Sequence, residues 1–600
     1  MRKKWAALLL AGVMALSLAA CGKSADGDAG SGTETAGTDA EGEAQESADA
    51  DWILAADVAD DAAPLQNDDR AFQKFDEVVE VHFGQQIDPK DTTMPEGDTV
   101  DNNDLTRYLL ETYNIKMVCD WTAGSTADFQ QKVSLNIASA SLPDVVVAPT
   151  RYYLVQAARA GLLADMKPAF NEYASKQVKE IMESTEGRAI ANGTVDGTFY
   201  GLPGVTVDTD GIYVYFIRQD WLDELGLEVP KTVAELGEAA QAFMDNGYST
   251  DYAIAGIDNG GRTYSNFLNS SNNNYGFDAI YQAFGAAPGY FLRDESGELY
   301  WGTTTDEMKA ALTTLHDWYE RGLINPEIGT TTNGDNANNV KNGTCGIFMG
   351  PWWGLGYGNP DSFLNDENAD WQAYPLYSDD GKWNVHMKDV GTTYTMVNKN
   401  ASEDVKKAIV IINNVLVRDE SSVESAVRPN AWWPVRNNMA AIDESEHEYE
   451  VLMKILKGEE KAEDYQAGGS KFNGLYKNLA VDAATLREVI SEEYDGSRNL
   501  SVTDMDVNTN NAQFNRFYAI LIGDRPFSTV EPDTKTYSEL YYTIDGMDTY
   551  WTQVSDLEDK SVLQFITGAK SLDEWDQFCS DWHAQGGDQL LSLTEEFLGQ

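Results

Sequence analysis

The chain is 600 residues long, 42% hydrophobic and 11% aromatic, an ordinary globular composition with enough apolar material for more than one packed body. Its formal net charge of −55 argues against nucleic acid and against anionic lipid surfaces as partners, because both would be repelled. Four cysteines are too few for a disulfide scaffold.

Met1, Arg2, Lys3 and Lys4 make a short basic start, and Trp5 to Ser17 is an apolar stretch of signal-peptide length. Leu18-Ala19-Ala20-Cys21 closes it. That ending resembles the lipobox of bacterial lipoproteins, which implies a diacylated Cys21 at the mature N-terminus. The chain would then be held by its lipid at the outer face of the cytoplasmic membrane. An ordinary secretory signal that happens to contain a cysteine is the plainer alternative. Gly22 to Asp51 is built of small and acidic residues, with no aromatic before Trp52. Such a stretch buries too little apolar surface to offset its ordering entropy, so a spacer is expected over 22–70.

The folded body then opens on a β-α-β-α-β pattern. Val78 to Phe83 alternates as a strand. Leu105, Tyr108, Leu109, Thr112 and Tyr113 fall at helical spacing within Asp101 to Asn114. Ile115 to Cys119 reads as a strand, Asp128 to Ser139 as a helix, and Pro143 to Ala148 as a short strand buried on both faces. The alternation indicates a largely parallel sheet in an α/β lobe, with ligands beyond the carboxyl ends of the strands. Gly84-Gln85-Gln86 and Pro149-Thr150-Arg151-Tyr152 lie at that edge. Farther on, Met308, Ala311, Leu312, Leu315, Trp318 and Tyr319 form one stripe of a helix over Asp306 to Arg321, stopped by Gly322. Asn- and Gly-rich stretches at Asp258 to Gly276 and Thr330 to Gly343 read as loops, as does Gly354 to Gly358.

Enzyme signatures are weak. His447-Glu448-Tyr449-Glu450-Val451 lacks the second histidine of a zinc-protease motif, and the five histidines have no metal-ligand spacing. Asp504, Asp506, Asn508 and Asn510 alternate like calcium ligands, but Thr509 stands where the turn needs glycine and Asn515 where a bidentate glutamate belongs. No metal or cofactor is expected. A glycosidase carboxylate pair could be concealed among 98 acidic residues. Any two of Cys119, Cys345 and Cys579 could pair. The positive signal is aromatic: Trp352-Trp353 follows Gly350-Pro351, and Trp432-Trp433 precedes Pro434. Sugar C–H faces pack on indole rings, so both pairs suit a saccharide platform, although tryptophan serves core burial equally well.

In combination these motifs resemble the extracellular solute-binding proteins of ABC importers, in particular the long oligosaccharide-binding lipoproteins. The likeness rests on Leu142-Pro143-Asp144-Val145-Val146, Val195 to Pro203, Phe216 to Gly226 with Pro230-Lys231-Thr232, Asn342 to Trp353, and Ile566 to Trp575. It implies a two-lobed, type II periplasmic-binding-protein-like α/β fold. Its hinge would have several crossing segments, near Val205 to Gly211, Lys388 to Gly391 and Arg428 to Pro434. The implied layout is lobe 1 over 71–206, lobe 2 over 207–387, a return to lobe 1 over 388–430, then lobe 2 and C-terminal helices over 431–600. Gln85, Gln86, Thr150, Arg151, Trp352 and Trp353 would face the cleft, with Trp432 and Trp433 at the third crossing and Asp210 near the first. The implied partners are a small solute, oligosaccharide above all, and the membrane permease subunits of the importer, with the chain a monomer. A receptor for peptides or other polar solutes, or a surface glycoside hydrolase, remains an alternative. Phe243 to Asp251 lacks the acidic ladder of the calcium loop that several long relatives carry, so a structural calcium is not expected.

Overall fold

A computed structural model describes residues 70–87, 96–256, 274–359, 362–363, 365–366, 368–391, 393–418, 434–435, 437, 439–466, 468–506, 511–544 and 546–598, together with Trp52, Leu54 and Ala55. Cys21, Trp432 and Trp433 lie outside them, as does most of the loop expected over 258–276.

The first lobe is built on a five-stranded sheet, in the order Ile115–Ala123, Val79–Gln86, Val145–Ala148, Tyr394–Val397, Gly201–Pro203. The first three strands run parallel, while Tyr394–Val397 returns from far along the chain and pairs antiparallel on both sides. Val79–Gln86 carries its pairing past the expected end at Phe83, so Gln85 and Gln86 stand opposite Thr122 and Ala123 inside the sheet. A register shift between Phe83 and Gly84 permits this. Helix Asp104–Tyr113 starts on an Asn103–Thr106 capping box and stops at Asn114, in the left-handed region at φ 57°. Its Leu105, Leu109 and Tyr113 join Val81, Phe83 and Ile115 in one core, closed on the far side by Ile409 and Ile412 of helix Glu403–Arg418.

The second lobe centres on a three-stranded antiparallel sheet, Ile347–Gly350, Val214–Arg218, Trp371–Tyr374. Its central strand is buried throughout, and helices surround it. Helix Asp306–Glu320 buries Met308, Ala311, Leu312, Leu315 and Trp318 in the same core as Val554, Val562 and Phe565 of helix Asp548–Thr567. The large side chains of that stripe contribute about 1.5–3 kcal/mol each. Thr232 and Glu235 form a capping box at the start of helix Val233–Asp245. Cys119, Cys345 and Cys579 are all free thiols. No described helix is long and apolar enough to cross a membrane.

Three expectations need correction. The stretch 330–343 is not all loop: Asn333–Lys341 is helical, because a Thr332–Asp335 capping box satisfies the first-turn N–H groups that its asparagines would otherwise draw into turns. The spacer expected over 22–70 fails at Trp52 and Ala55. The Trp52 ring lies edge-on to Phe170 and Phe199, and the Ala55 N–H donates to Glu183. One aromatic ring supplies the apolar surface the rest of the stretch lacks. The boundary expected at 430/431 falls too early, since Val435 and Met439 are buried in the core of the first lobe.

A Cβ at Gly84 would stand 2.1 Å from the Trp121 ring. Gly84→Ala should therefore displace that indole, lower stability by about 1–3 kcal/mol in chemical denaturation and shift tryptophan emission. A wild-type denaturation midpoint would mean that the close approach is not structural.

Candidate functional site

Three segments cross between the lobes side by side. Gly204 and Thr206 donate backbone N–H groups to Thr393 and Val390, at 2.8 and 3.2 Å. On the other side Val205 pairs in parallel with Met439, Ala440 N–H donates to Val205 at 3.0 Å, and Asp208 N–H donates to Ile442 at 2.9 Å. Asn437 ties all three: its amide donates to the Leu202 carbonyl at 3.2 Å and accepts from the Thr393 hydroxyl at 3.1 Å. Short extended strands joined by a few lateral bonds can twist together, which is the construction of a hinge.

Just beyond this hinge, on the second lobe, lies Asp210, in the 3-10 turn Asp208–Gly211. Its carboxylate accepts the Trp352 indole N–H at 2.9 Å, and the Trp353 indole lies near enough to favour its charged form. Gly211 lets the second crossing approach closely, as a Cβ there would meet the Lys388 amide nitrogen at 2.7 Å. The Lys388 ammonium faces Asp210 and Asp278, yet burial outweighs both carboxylates and brings it down to about 8. Burial likewise pushes Asp210 up, against Lys388 and the two indoles. Trp352 follows Pro351 into a 3-10 turn and is only 9% exposed, and Trp353 is half-buried. The aromatic with open surface here is Tyr357, 48% exposed, whose ring meets that of Trp352 at 85° with centroids 6.4 Å apart.

The first lobe contributes the opposite wall. Thr150 begins helix Arg151–Arg159 and its hydroxyl makes no cap bond. Arg151 is buried: Nε donates to the Asn192 carbonyl at 2.7 Å and Nη2 to the Thr194 carbonyl at 2.6 Å. Its guanidinium lies 4.3 Å over the Tyr542 ring of the second lobe. The next residue also reaches across, with the Tyr152 hydroxyl donating to Asp548 at 3.0 Å. Asp389, between these groups on the second crossing, accepts from Asn192 and from the Gly391 N–H, but burial still raises it to about 6.

The structure thus gathers Asp210, Trp352 and Trp353 and sets Gln85, Gln86, Thr150 and Arg151 on the other lobe. Sequence reasoning did not single out Lys388, Asp389, Asn192, Tyr357 or Tyr542 as site residues, and isolated lysine, tyrosine and asparagine residues carry no local signal. Behind the hinge is a second space of about 200 Å³, too small for a chain of sugars. It is lined by Asp208, Asp443, Glu446, Glu531 and Lys535 among apolar side chains. Burial, then Asp524, Asp443 and Asp208, push Glu446 up to about 8, opposed only by Lys535.

The family model described as bacterial extracellular solute-binding protein matches residues 105–416, more than half of the chain. A fructooligosaccharide ABC transporter substrate-binding protein, FusA, of Streptococcus pneumoniae is 26% identical over 224 residues, 35% of this chain and 39% of that protein. Lipoprotein LipO of Bacillus subtilis is 25% identical over 252 residues, 40% of this chain and 45% of the relative. The chain therefore spans less than half the length of the curated relatives it matches. A solved HMO-binding ABC-transporter-associated solute-binding protein from Bifidobacterium longum infantis superposes with a TM-score of 0.54 at 16% identity, covering 87% of this chain and 99% of that one. The fold is the two-lobed solute-binding-protein fold.

Two outcomes follow from this geometry. Asp210→Ala, which leaves the Trp352 N–H without its acceptor and removes one of the carboxylates facing Lys388, should cost about 1–3 kcal/mol and alter tryptophan emission. Asp210→Asn, which keeps an oxygen acceptor, should cost less, and equal losses would exclude the indole bond as the cause. For Glu446 the folded-state pKa lies above the ordinary glutamate value of 4.5. Its favourable contribution is complete below that value and is lost as pH rises toward about 8. Glu446→Gln should then melt above wild type at pH 8, with the gap closing toward pH 5; a gap independent of pH would refute the burial of this carboxyl.

Proposed function

We propose that this chain, which belongs to the bacterial extracellular solute-binding protein family, takes an oligosaccharide into the cleft between its lobes and delivers it to the permease of an ABC importer. One observation carries the reading. The aromatic corner of the second lobe is bonded to the hinge itself, through Asp210 of the first crossing and its neighbour Lys388 of the second. A ring seated on that corner would bias the angle between the lobes, so ligand binding shifts the population toward a closed form. Aromatic faces next to amide, hydroxyl and carboxylate groups are what a sugar presents itself to, through its C–H faces and hydroxyls respectively. The fructooligosaccharide and HMO named for two of the similar proteins favour the same ligand class.

In this reading Gln85, Gln86 and Thr150 supply hydrogen bonds from the first lobe, Arg151 holds that wall in place, and Trp352 and Trp353 form the floor. Lobe 1 comprises 71–206 and 388–442, and lobe 2 comprises 207–387 and 443–600. Cys21 carries the lipid that keeps the chain, as a monomer, at the outer face of the membrane. The chain releases its ligand unchanged and acts as a receptor, not as an enzyme.

The test is thermal melting of the folded body against malto-, fructo-, xylo- and galacto-oligosaccharides, oligogalacturonate and a peptide mixture. A ligand specific for the native state adds about 2.7 kcal/mol of stability at a hundredfold excess over Kd. A shift with one glycan class, recovered intact by chromatography, is expected. A shift with peptides alone would sink the carbohydrate assignment, and hydrolysis of the glycan would replace the receptor with a glycosidase. Separately, Cys21→Ala should abolish incorporation of a labelled fatty acid in a bacterial host; retained label would overturn the anchor.

A further inference from the structure

The loop after the tryptophan pair is held far more tightly than its glycine-rich sequence implies. Gly354 N–H donates to the Pro351 carbonyl at 2.7 Å, and Gly358 N–H to that of Trp353 at 3.0 Å. Asn359 donates to the Gly354 carbonyl at 2.9 Å and accepts the buried Tyr275 hydroxyl at 2.6 Å. Gly356 adopts φ +77°, and a Cβ there would meet the Asn515 carbonyl at 2.3 Å, so this turn lies directly on helix Asn511–Tyr518. At the apex of this clamped loop stands Tyr357, the large side chain of the loop left open to solvent.

The side chain has an ordered setting. The ring meets Trp352 edge to face. The Arg516 guanidinium lies beside the hydroxyl, close enough for the two groups to interact electrostatically. Arg516 is in turn immobilised, with Nε donating to Asp482 at 2.6 Å and Nη2 to Glu448, both carboxylates being almost completely buried. An exposed aromatic that is already ordered gives up little rotamer entropy when something lands on it, and tyrosine has only two side-chain torsions to lose. A rigid loop, a buried ion cluster and a neighbouring indole are a large investment for a ring with no packing role of its own on its open side.

We propose that Tyr357 is a ligand-contacting residue, the open face on which a saccharide ring stacks, with the mostly covered Trp352 as its backing. This rests on the oligosaccharide reading above and adds a specific residue to it. The tryptophan pair then acts chiefly as the anchored floor that ties this face to Asp210 and the hinge.

The experiment compares wild type, Tyr357→Ala and Tyr357→Phe by calorimetric titration with the oligosaccharides of the melting panel. Tyr357→Ala should raise Kd about tenfold or more, the equivalent of one stacked ring. Its unliganded melting temperature should stay within about 2 °C of wild type, as for an exposed position. Tyr357→Phe, which keeps the face and loses only the hydroxyl, should raise Kd by less than Tyr357→Ala does. Wild-type affinity in the alanine variant overturns this assignment while leaving the receptor reading intact. Equal losses in the two variants show that the hydroxyl and not the ring matters, and also overturn it. Failure of every glycan to bind wild type sinks the oligosaccharide reading, and this inference with it.

Discussion

The hinge chemistry turns on one carboxylate. Asp210 sits where the first crossing segment leaves the hinge, accepts the indole of Trp352 and faces the Lys388 ammonium of the second crossing. Removing three charged or polar groups from water is costly unless each finds a partner, and here they find one another. The result is a fixed relation between an aromatic corner and two of the three strands that join the lobes. Gly211 is what lets those strands come together, since any side chain at that position would collide with Lys388.

From that junction the two lobes follow different packing logic. The first lobe is a mostly parallel sheet covered by helices, and it needs a strand from far downstream, Tyr394–Val397, to complete it. The chain must therefore leave and return, and each passage creates a crossing segment. The second lobe has a small antiparallel sheet and relies on helix-to-helix burial, with Trp301 and Trp582 stacked and sharing Glu558 as a common acceptor in its core. Contacts between lobes include Arg151 with Tyr542, Tyr152 with Asp548, Arg188 with Tyr537 and Gln177 with the Gly474 carbonyl.

The acidic cavity behind the hinge illustrates how charge is managed in a chain of net charge −55. Asp208 pairs with Arg188 and Glu531 with Lys535, while burial pushes Glu446 up to about 8, so that carboxyl retains its proton near neutral pH. Asp524, fully buried nearby and bonded to Ser528, is pushed up to about 7 for the same reason. Repulsion is thus relieved partly by ion pairing and partly by protonation.

The sequence by itself determined what depends on local pattern. Apolar spacing located Asp306–Glu320, the alternation of strands and helices located the first sheet, and Gly350-Pro351-Trp352-Trp353 marked the turn that matters. Local chemistry was also legible at Gly322, which follows helix Asp306–Glu320 in the left-handed region at φ 71°. Composition misled at 330–343, where a capping box outweighs the turn preference of asparagine. Only the tertiary structure decided which polar groups meet. Arg151, placed at the cleft by resemblance, gives Nε and Nη2 to two carbonyls and lies over the Tyr542 ring, 391 positions later. Trp352 is largely covered, while Tyr357 stands open on a loop held by Asn359 and Tyr275. Pairings of this kind are set by long-range packing and burial, which leave no periodicity in the chain to be read.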